Sequence, residues 1–328
     1  MSEVLLEARN LNKDFPAGRK KKIHAVSDVS LRICEGETLG LVGESGCGKS
    51  TLGRLLIRLI EPDAGEVLVR GKAVTGLKEK EFGSYRRKFQ LIFQDPYASL
   101  NPRMTVRDLI AEPLKTYKVC GSKEETTKRV LELMKAVGVP GEFLHRYPHQ
   151  FSGGQRQRIG IARAIAADPD LIICDEPVSA LDVSVQNQIL NLLKELQTQR
   201  GLTYLFISHD LSVVRHISNR VCIMFLGKIC ESGPTEEVFE NPHHPYTRFL
   251  INAVLVPDPH RRSDTAELLK GELPSPVDLP SGCRFHTRCP FATKLCSSEE
   301  PKMRQISGRE VACHYPLGGE SRTPESRD

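Results

Sequence analysis

The sequence predicts an α/β protein built on a mostly parallel sheet, and three observations predict it. Short apolar runs alternate with stretches of helical periodicity through most of the 328 residues. A glycine-rich stretch at 43–50 joins an apolar run to a helical one. The run 171–174 is wholly apolar and ends on two acids, Asp175 and Glu176. A strand buried on both faces reads this way where it opens into a ligand crevice.

The elements follow in order. Residues 4–42 read as strands, with LLEA, VSLRI and TLGLV as apolar runs, the last leading into the glycine-rich turn. From Lys49 the spacing is helical, with Leu52, Leu55, Leu56, Leu59 and Ile60 on one face and Pro62 as the expected stop. Ser122 with Glu125 resembles a capping box, opening a helix with Val130, Leu133, Met134 and Val137 on its apolar face and Gly138 as its stop. Val185, Ile189, Leu192, Leu193 and Leu196 mark another amphipathic helix. TYLFIS (203–208) and VCIMFL (221–226) are two further buried strands. The stretch 257–282 holds five prolines and reads as a linker or extended wrap, and the polar tail from 317 reads as disordered.

Composition narrows the class. Apolar residues at 39% and charged residues at 27% are ordinary for a globular chain, and length favours about two domains. A disordered chain, a fibrous repeat and a small disulfide scaffold are excluded. The apolar runs are far shorter than the roughly 20 residues a spanning helix needs. MSEVLLEARN lacks a basic n-region and a long apolar core, so no secretory signal is expected. The excess of 46 Lys and Arg over 41 Asp and Glu is mild and does not point to nucleic acid. The basic run Arg19-Lys20-Lys21-Lys22 reads as a solvated loop, with nucleic-acid or lipid-headgroup contact as the alternative.

Gly43-Glu44-Ser45-Gly46-Cys47-Gly48-Lys49-Ser50 fits G-x-x-x-x-G-K-[ST] in a strand–loop–helix context. The glycines let backbone N–H groups turn toward phosphate oxygens, and the helix N-terminus adds partial positive charge. With Thr51, these are the candidate nucleotide-binding residues: Lys49 faces the β- and γ-phosphates and the Ser50 hydroxyl ligates Mg²⁺. Cys47 is either a structural thiol or one whose pKa the helix N-terminus lowers. Asp175 is the second Mg²⁺ ligand and Glu176 the candidate general base, against the alternative of an acidic strand end without chemistry.

Four of the ten cysteines, Cys283, Cys289, Cys296 and Cys313, fall within 31 residues. Four thiolates suit a [4Fe–4S] cluster or a zinc ion. The gaps of five, six and sixteen residues include no tight zinc-type pair, and Pro290 follows Cys289 as proline follows a ligand in bacterial ferredoxins. The expectation is a cluster, with zinc and plain thiols or disulfides as alternatives.

A second glycine-rich loop, Phe151-Ser152-Gly153-Gly154-Gln155, is odd for a single nucleotide. With it the sequence resembles the ATP-binding cassette ATPases, the motor subunits of ABC transporters, whose signature is Leu-Ser-Gly-Gly-Gln. The resemblance implies a P-loop NTPase core over 1–240 with a β subdomain and a helical signature subdomain (about 95–165). It implies that Gln94 in LIFQDP contacts Mg²⁺ and the lytic water, and that Asp182 belongs to the D-loop. His209 in ISHD then reaches the γ-phosphate, and Phe15 stacks on adenine, with a place in the sheet core as the alternative for Phe15. Ser152, Gly153, Gly154 and Gln155 are implied to face ATP bound to a second subunit. NPHHPYT (241–247) and the cysteine segment resemble the C-terminal region of oligopeptide and dipeptide (peptide/nickel) importer ATPases, some of which carry a cluster. This makes 241–316 a small cysteine-rich extension and 317–328 a tail. It also implies a second, different cassette subunit, two transmembrane permease subunits and an extracytoplasmic peptide-binding protein. The place implied is peripheral, on the cytoplasmic face of the inner membrane. A related nickel or small-solute importer and a non-transport cassette ATPase remain the alternatives.

Overall fold

The computed structural model describes residues 3–18, 21–253 and 274–318. Most of the proline-rich stretch, Arg19 and Lys20, and the tail beyond 318 lie outside the described residues.

Two sheets organise the chain. The smaller is antiparallel: β1 (Val4–Pro16), β2 (Lys22–Cys34), β4 (Ala64–Val69) and β5 (Lys72–Ala73), in the order β2-β1-β4-β5. The larger has eight strands. Its parallel part runs β9 (Arg220–Phe225), β3 (Thr38–Val42), β8 (Thr203–Ser208), β7 (Leu171–Asp175) and β6 (Phe89–Ile92). Antiparallel β10 (Lys228–Pro234), β12 (Arg309–Val311) and β11 (Arg304–Ile306) extend it beyond β9.

The apolar runs are continuous because both faces of the parallel part are covered. Side chains alternate between them: Leu171 and Ile173 pack with helix α1 (Lys49–Leu56) and the small sheet. Ile172 and Cys174 pack with α4 (Val106–Thr116), α5 (Lys123–Ala136), α6 (Gly153–Ile165) and α7 (Val183–Arg200). Ser122 caps α5 by accepting from the Glu125 N–H, and Gly138 follows with φ 70°.

The structure changes two readings. The first helix stops at Leu56, well before Pro62. Arg58 takes a left-handed φ of 51°, and its buried guanidinium donates to the carbonyls of Val74 and Leu77. Those tertiary bonds win over the apolar spacing, and Leu59 is left half exposed. The second concerns the cysteine segment. Expected as an extension beyond the 1–240 core, it joins that core's sheet, because its hairpin β11–β12 pairs with β10 (Glu231↔Val311) and becomes the sheet's edge. Fully buried Glu231 ties this together: it accepts from the His243 and His244 N–H groups and lies 3.6 Å from the Arg309 guanidinium.

Candidate active site

Strand register brings the motifs to one edge. Val42 lies opposite Ser208, Ile207 opposite Asp175, and Cys174 opposite Ile92. The residues that follow these strands, Gly43, His209, Glu176 and Gln94, therefore emerge together at the carboxyl ends of neighbouring parallel strands.

The glycine-rich loop needs its glycines for space. A Cβ on Gly43 would lie 2.1 Å from the Met224 carbonyl oxygen, and one on Gly48 2.0 Å from that of Ala25. The Lys49 ammonium is buried and donates to the carbonyls of Gly43 (2.8 Å) and Glu44 (2.9 Å), which keeps the loop curled around it. The Ser50 hydroxyl donates to Asp175 at 2.7 Å, and the Arg54 guanidinium lies 3.9 Å from the other Asp175 oxygen. Burial raises the Asp175 carboxyl above its ordinary value. A partly desolvated carboxylate beside a hydroxyl is a donor set that fits a hard divalent cation, which supplies the charge neutralisation that Asp175 otherwise lacks.

Of the two readings of Cys47, the fold favours the structural thiol over the reactive one. Its side chain is buried in the apolar cluster under the loop, and desolvation pushes its pKa up rather than down. Its backbone is engaged too: the N–H donates to the Glu44 carbonyl at 3.3 Å and the carbonyl accepts from the Gly227 N–H at 2.8 Å.

Glu176 sits at the centre of the second half of the site. Its φ is 47°, a left-handed conformation, and its N–H donates to the Ile207 carbonyl at 3.0 Å. One carboxylate oxygen accepts from Gln94 Nε2 at 2.8 Å. The other lies 3.0 Å from His209 Nδ1, which must donate because an ionised carboxylate only accepts. Two side chains from adjoining strand ends thus orient one carboxylate. Gln94 pairs with Glu176 here and makes no bond to Ser50 or Asp175 among the described residues.

The second glycine-rich loop stands apart. Ser152 caps α6 and exchanges a capping box with Gln155. A Cβ on Gly154 would lie 2.4 Å from Val185 Cγ1, and one on Gly153 3.2 Å from Leu181 Cδ2. The loop is therefore packed on the start of α7, whose cap, Asp182, accepts from the Val185 N–H and the Ser184 hydroxyl. No hydrogen bond among the described residues joins 152–155 to the loop at 43–51. Phe15 is half-buried on β1 opposite Ile23 and outside both apolar clusters. Its ring neighbours the Lys13 ammonium, and its strand partner β2 supplies the Ala25 carbonyl against Gly48.

Residues 26–179 match the family described as ABC transporter, and residues 230–296 match the oligopeptide/dipeptide transporter C-terminal region. The chain is 51% identical over 320 residues to the oligopeptide transport ATP-binding protein OppF of Escherichia coli strain K12, covering 95% of this chain and 96% of that one. This chain belongs to the ATP-binding subunits of ABC transporters. The oligopeptide transport ATP-binding protein AppF of Bacillus subtilis strain 168 is 50% identical, with 95% of this chain and 97% of that one covered. Among solved structures, a dimeric post-hydrolysis state of the ATP-binding cassette MJ0796 bound to ADP and Pi is similar, with TM-score 0.65 and 33% identity. That likeness covers 70% of this chain and 99% of that one.

This ABC subunit also carries groups near the site that sequence reasoning missed. Tyr246 and Arg288 both reach Glu44 of the glycine-rich loop. NPHHPYT and the cysteine segment contain these residues, but no spacing connects them to residue 44. The four clustered cysteines line one cavity together with His286 and His314. Among the described residues no three His, Cys, Asp or Glu side chains converge on a single ion, and no disulfide joins the cysteines. Burial raises the Cys283 thiol above its ordinary value and pushes Cys313 up to about 12.

Proposed function

We propose that this chain is the ATPase subunit that couples ATP binding and hydrolysis to import of oligopeptides or dipeptides through a membrane permease. The observation that carries the enzymatic part is Glu176 held between Gln94 and His209 at the strand ends, beside the Ser50–Asp175 pair. Lys49 exchanges its loop carbonyls for the β- and γ-phosphates of ATP, and the N–H groups of 43–51 complete the cradle. Ser50 and Asp175, joined by Gln94, hold Mg²⁺, which supplies charge neutralisation for the phosphates. Glu176 accepts a proton from water as the water oxygen bonds to the γ-phosphorus and the bond to the ADP oxygen breaks. His209 orients the Glu176 carboxylate and faces the γ-phosphate. Phe15, half-buried and outside the core, offers its ring to adenine.

The separate seat of Ser152–Gln155 supports a head-to-tail pair of cassettes, each loop facing ATP held by the other subunit, with Asp182 beside it. Family pattern favours a second, different ATPase subunit. Peptide cargo rests on the C-terminal region match and on relatives named as oligopeptide transport proteins. Two permease subunits and an extracytoplasmic peptide-binding protein complete the assembly, and the chain docks on the cytoplasmic face of the inner membrane. No helix among the described residues is long and apolar enough to cross a membrane. Tyr97, in the segment after Gln94, is exposed with its ring 3.7 Å from the Arg156 guanidinium, a surface suited to a permease. No nucleic-acid partner is invoked.

The four cysteines line one cavity, and their spacing favours one [4Fe–4S] cluster over one zinc, because the gaps include no tight zinc-type pair and Pro290 follows Cys289. Anaerobic protein is expected to be brown, with about four irons per chain; one zinc in colourless protein replaces the cluster. For cargo, the test is uptake of labelled oligopeptide and of nickel in cells with and without the gene, alongside copurification of permease subunits. Loss of nickel uptake with peptide uptake intact overturns the peptide reading.

A further inference from the structure

The geometry points to Arg288 as a positioning residue for the phosphate loop: from the cysteine lobe it clamps Glu44 and offsets the loop's one negative side chain. Glu44 is held at three points. Its N–H donates to the Tyr246 hydroxyl at 3.1 Å, its carbonyl accepts from Lys49 at 2.9 Å and from the Cys47 N–H at 3.3 Å, and its carboxylate accepts from Arg288 Nη1 at 3.0 and 3.1 Å. Two of these four partners, Tyr246 and Arg288, come from beyond residue 240.

Both partners are rigidly mounted. Tyr246 is fully buried, and its ring packs 4.7 Å from Phe225 and 5.3 Å from Phe285. Phe285 in turn starts the turn that carries Arg288, whose N–H donates to the Phe285 carbonyl at 3.0 Å. The Arg288 side chain is only 10% exposed, and its Nε has no hydrogen-bond partner among the described residues. A guanidinium this buried keeps its place only with a partner for its charge, and Glu44 is that partner.

The consequence follows from charge. Glu44 is the only acid in the loop 43–51, whose task is to receive a polyanion. Paired with Arg288, its carboxylate is neutralised and turned away. Unpaired, it faces the phosphates and repels them. When Lys49 leaves the Glu44 carbonyl for the phosphates, the Cys47 N–H, Tyr246 and Arg288 remain to keep the curl, and among the described residues Arg288 alone pairs with the carboxylate. The inference rests on the nucleotide reading of the loop, and the experiment separates the two.

Full-length chain is titrated with a fluorescent ATP analogue, and ATPase kinetics are read in the assembled transporter. Arg288→Gln is expected to weaken ATP binding about tenfold, within the ordinary range of coupling between sites. KM rises with it and kcat stays within about twofold. Glu44→Gln loses the pair but also the repelling charge and is expected to lose less affinity than Arg288→Gln, and Glu44→Gln with Arg288→Gln to recover most of what Arg288→Gln loses. Arg288→Lys, which keeps the charge but not the planar guanidinium, is expected to lose about threefold and serves if Arg288→Gln does not fold. Unchanged affinity in both Arg288 variants overturns the clamp. So does a loss that Glu44→Gln fails to relieve, because Arg288 then acts only through the fold of the lobe. Wild-type chain that binds no ATP overturns the nucleotide reading itself.

Discussion

The carboxyl edge of the parallel sheet and the cysteine lobe make an instructive pair. At the sheet edge, Gly43, Gln94, Glu176 and His209 each leave a strand whose register with its neighbour already determines where the side chain lands. In the lobe, Cys283, Cys289, Cys296 and Cys313 sit on turns, one short helix and the segment after an edge strand. They face one cavity only because the hairpin β11–β12 docks on β10 and Phe285 seats in the core. The first site is assembled by secondary structure, the second by packing. Substitutions at the edge should therefore alter chemistry with the fold intact, and substitutions in the lobe should act on structure first.

The largest expected effect is at Glu176. Glu176→Gln keeps the shape and one of the two accepting positions that Gln94 and His209 use, but cannot take a proton, so phosphate release should fall about 10²–10⁴-fold. ATP binding should stay within about threefold, and gel filtration with ATP should show an accumulated dimer; near-normal turnover removes Glu176 from the base role. Lys49→Ala comes next. It removes the ammonium that also bonds the Gly43 and Glu44 carbonyls. Equilibrium titration should show ATP affinity reduced by at least about tenfold.

Gly154→Ala tests whether the second loop is shaped by its own chain. The new methyl meets Val185 Cγ1 at 2.4 Å. Urea unfolding should report a loss of about 1–3 kcal/mol, and Val185→Ala should recover much of it. An unperturbed Gly154→Ala would mean that this glycine is there for a partner alone. If the lobe holds the proposed cluster, Cys296→Ser should strip iron from anaerobic protein and lower the melting temperature, while ATP affinity falls by no more than about tenfold, the share that passes through Arg288. A loss as deep as that of Lys49→Ala would erase the distinction between edge and lobe. The smallest effect is at Cys47. Desolvation raises its pKa, so the reactive thiolate is scarce at neutral pH. Mass-spectrometric labelling should be slow with or without MgATP; fast labelling that nucleotide blocks would place the thiol in the cradle after all.

Most of the sheet was legible because buried parallel strands leave unbroken apolar runs, as in 171–174 and 203–208. The last two strands were not: β11 and β12 are three residues each, too short to carry a period, and β12 buries a charged Arg309 beside Val311. The first helix was overextended because Leu59 and Ile60 continue the apolar spacing while Arg58 leaves the helical region. That departure depends on the carbonyls of Val74 and Leu77, which no local window contains.

The candidate site divides in the same way. Gly43–Thr51, Asp175 and Glu176 were legible because phosphate and metal chemistry demands fixed residue types at short spacing on a strand–loop–helix unit, and Gln94, Asp182, His209 and Ser152–Gln155 through family resemblance. Local sequence determined these because their geometry is set within a few residues of a strand or helix end. What only the tertiary structure decided are the relations between distant segments: Gln94 and His209 sharing one carboxylate, Cys47 turned under its loop, Tyr246 and Arg288 gripping Glu44. Glu44 and Arg288 are 244 residues apart along the chain. An ion pair of that span has no spacing to betray it, since it exists only where two segments distant in sequence are packed together by the fold and bury their charges against each other.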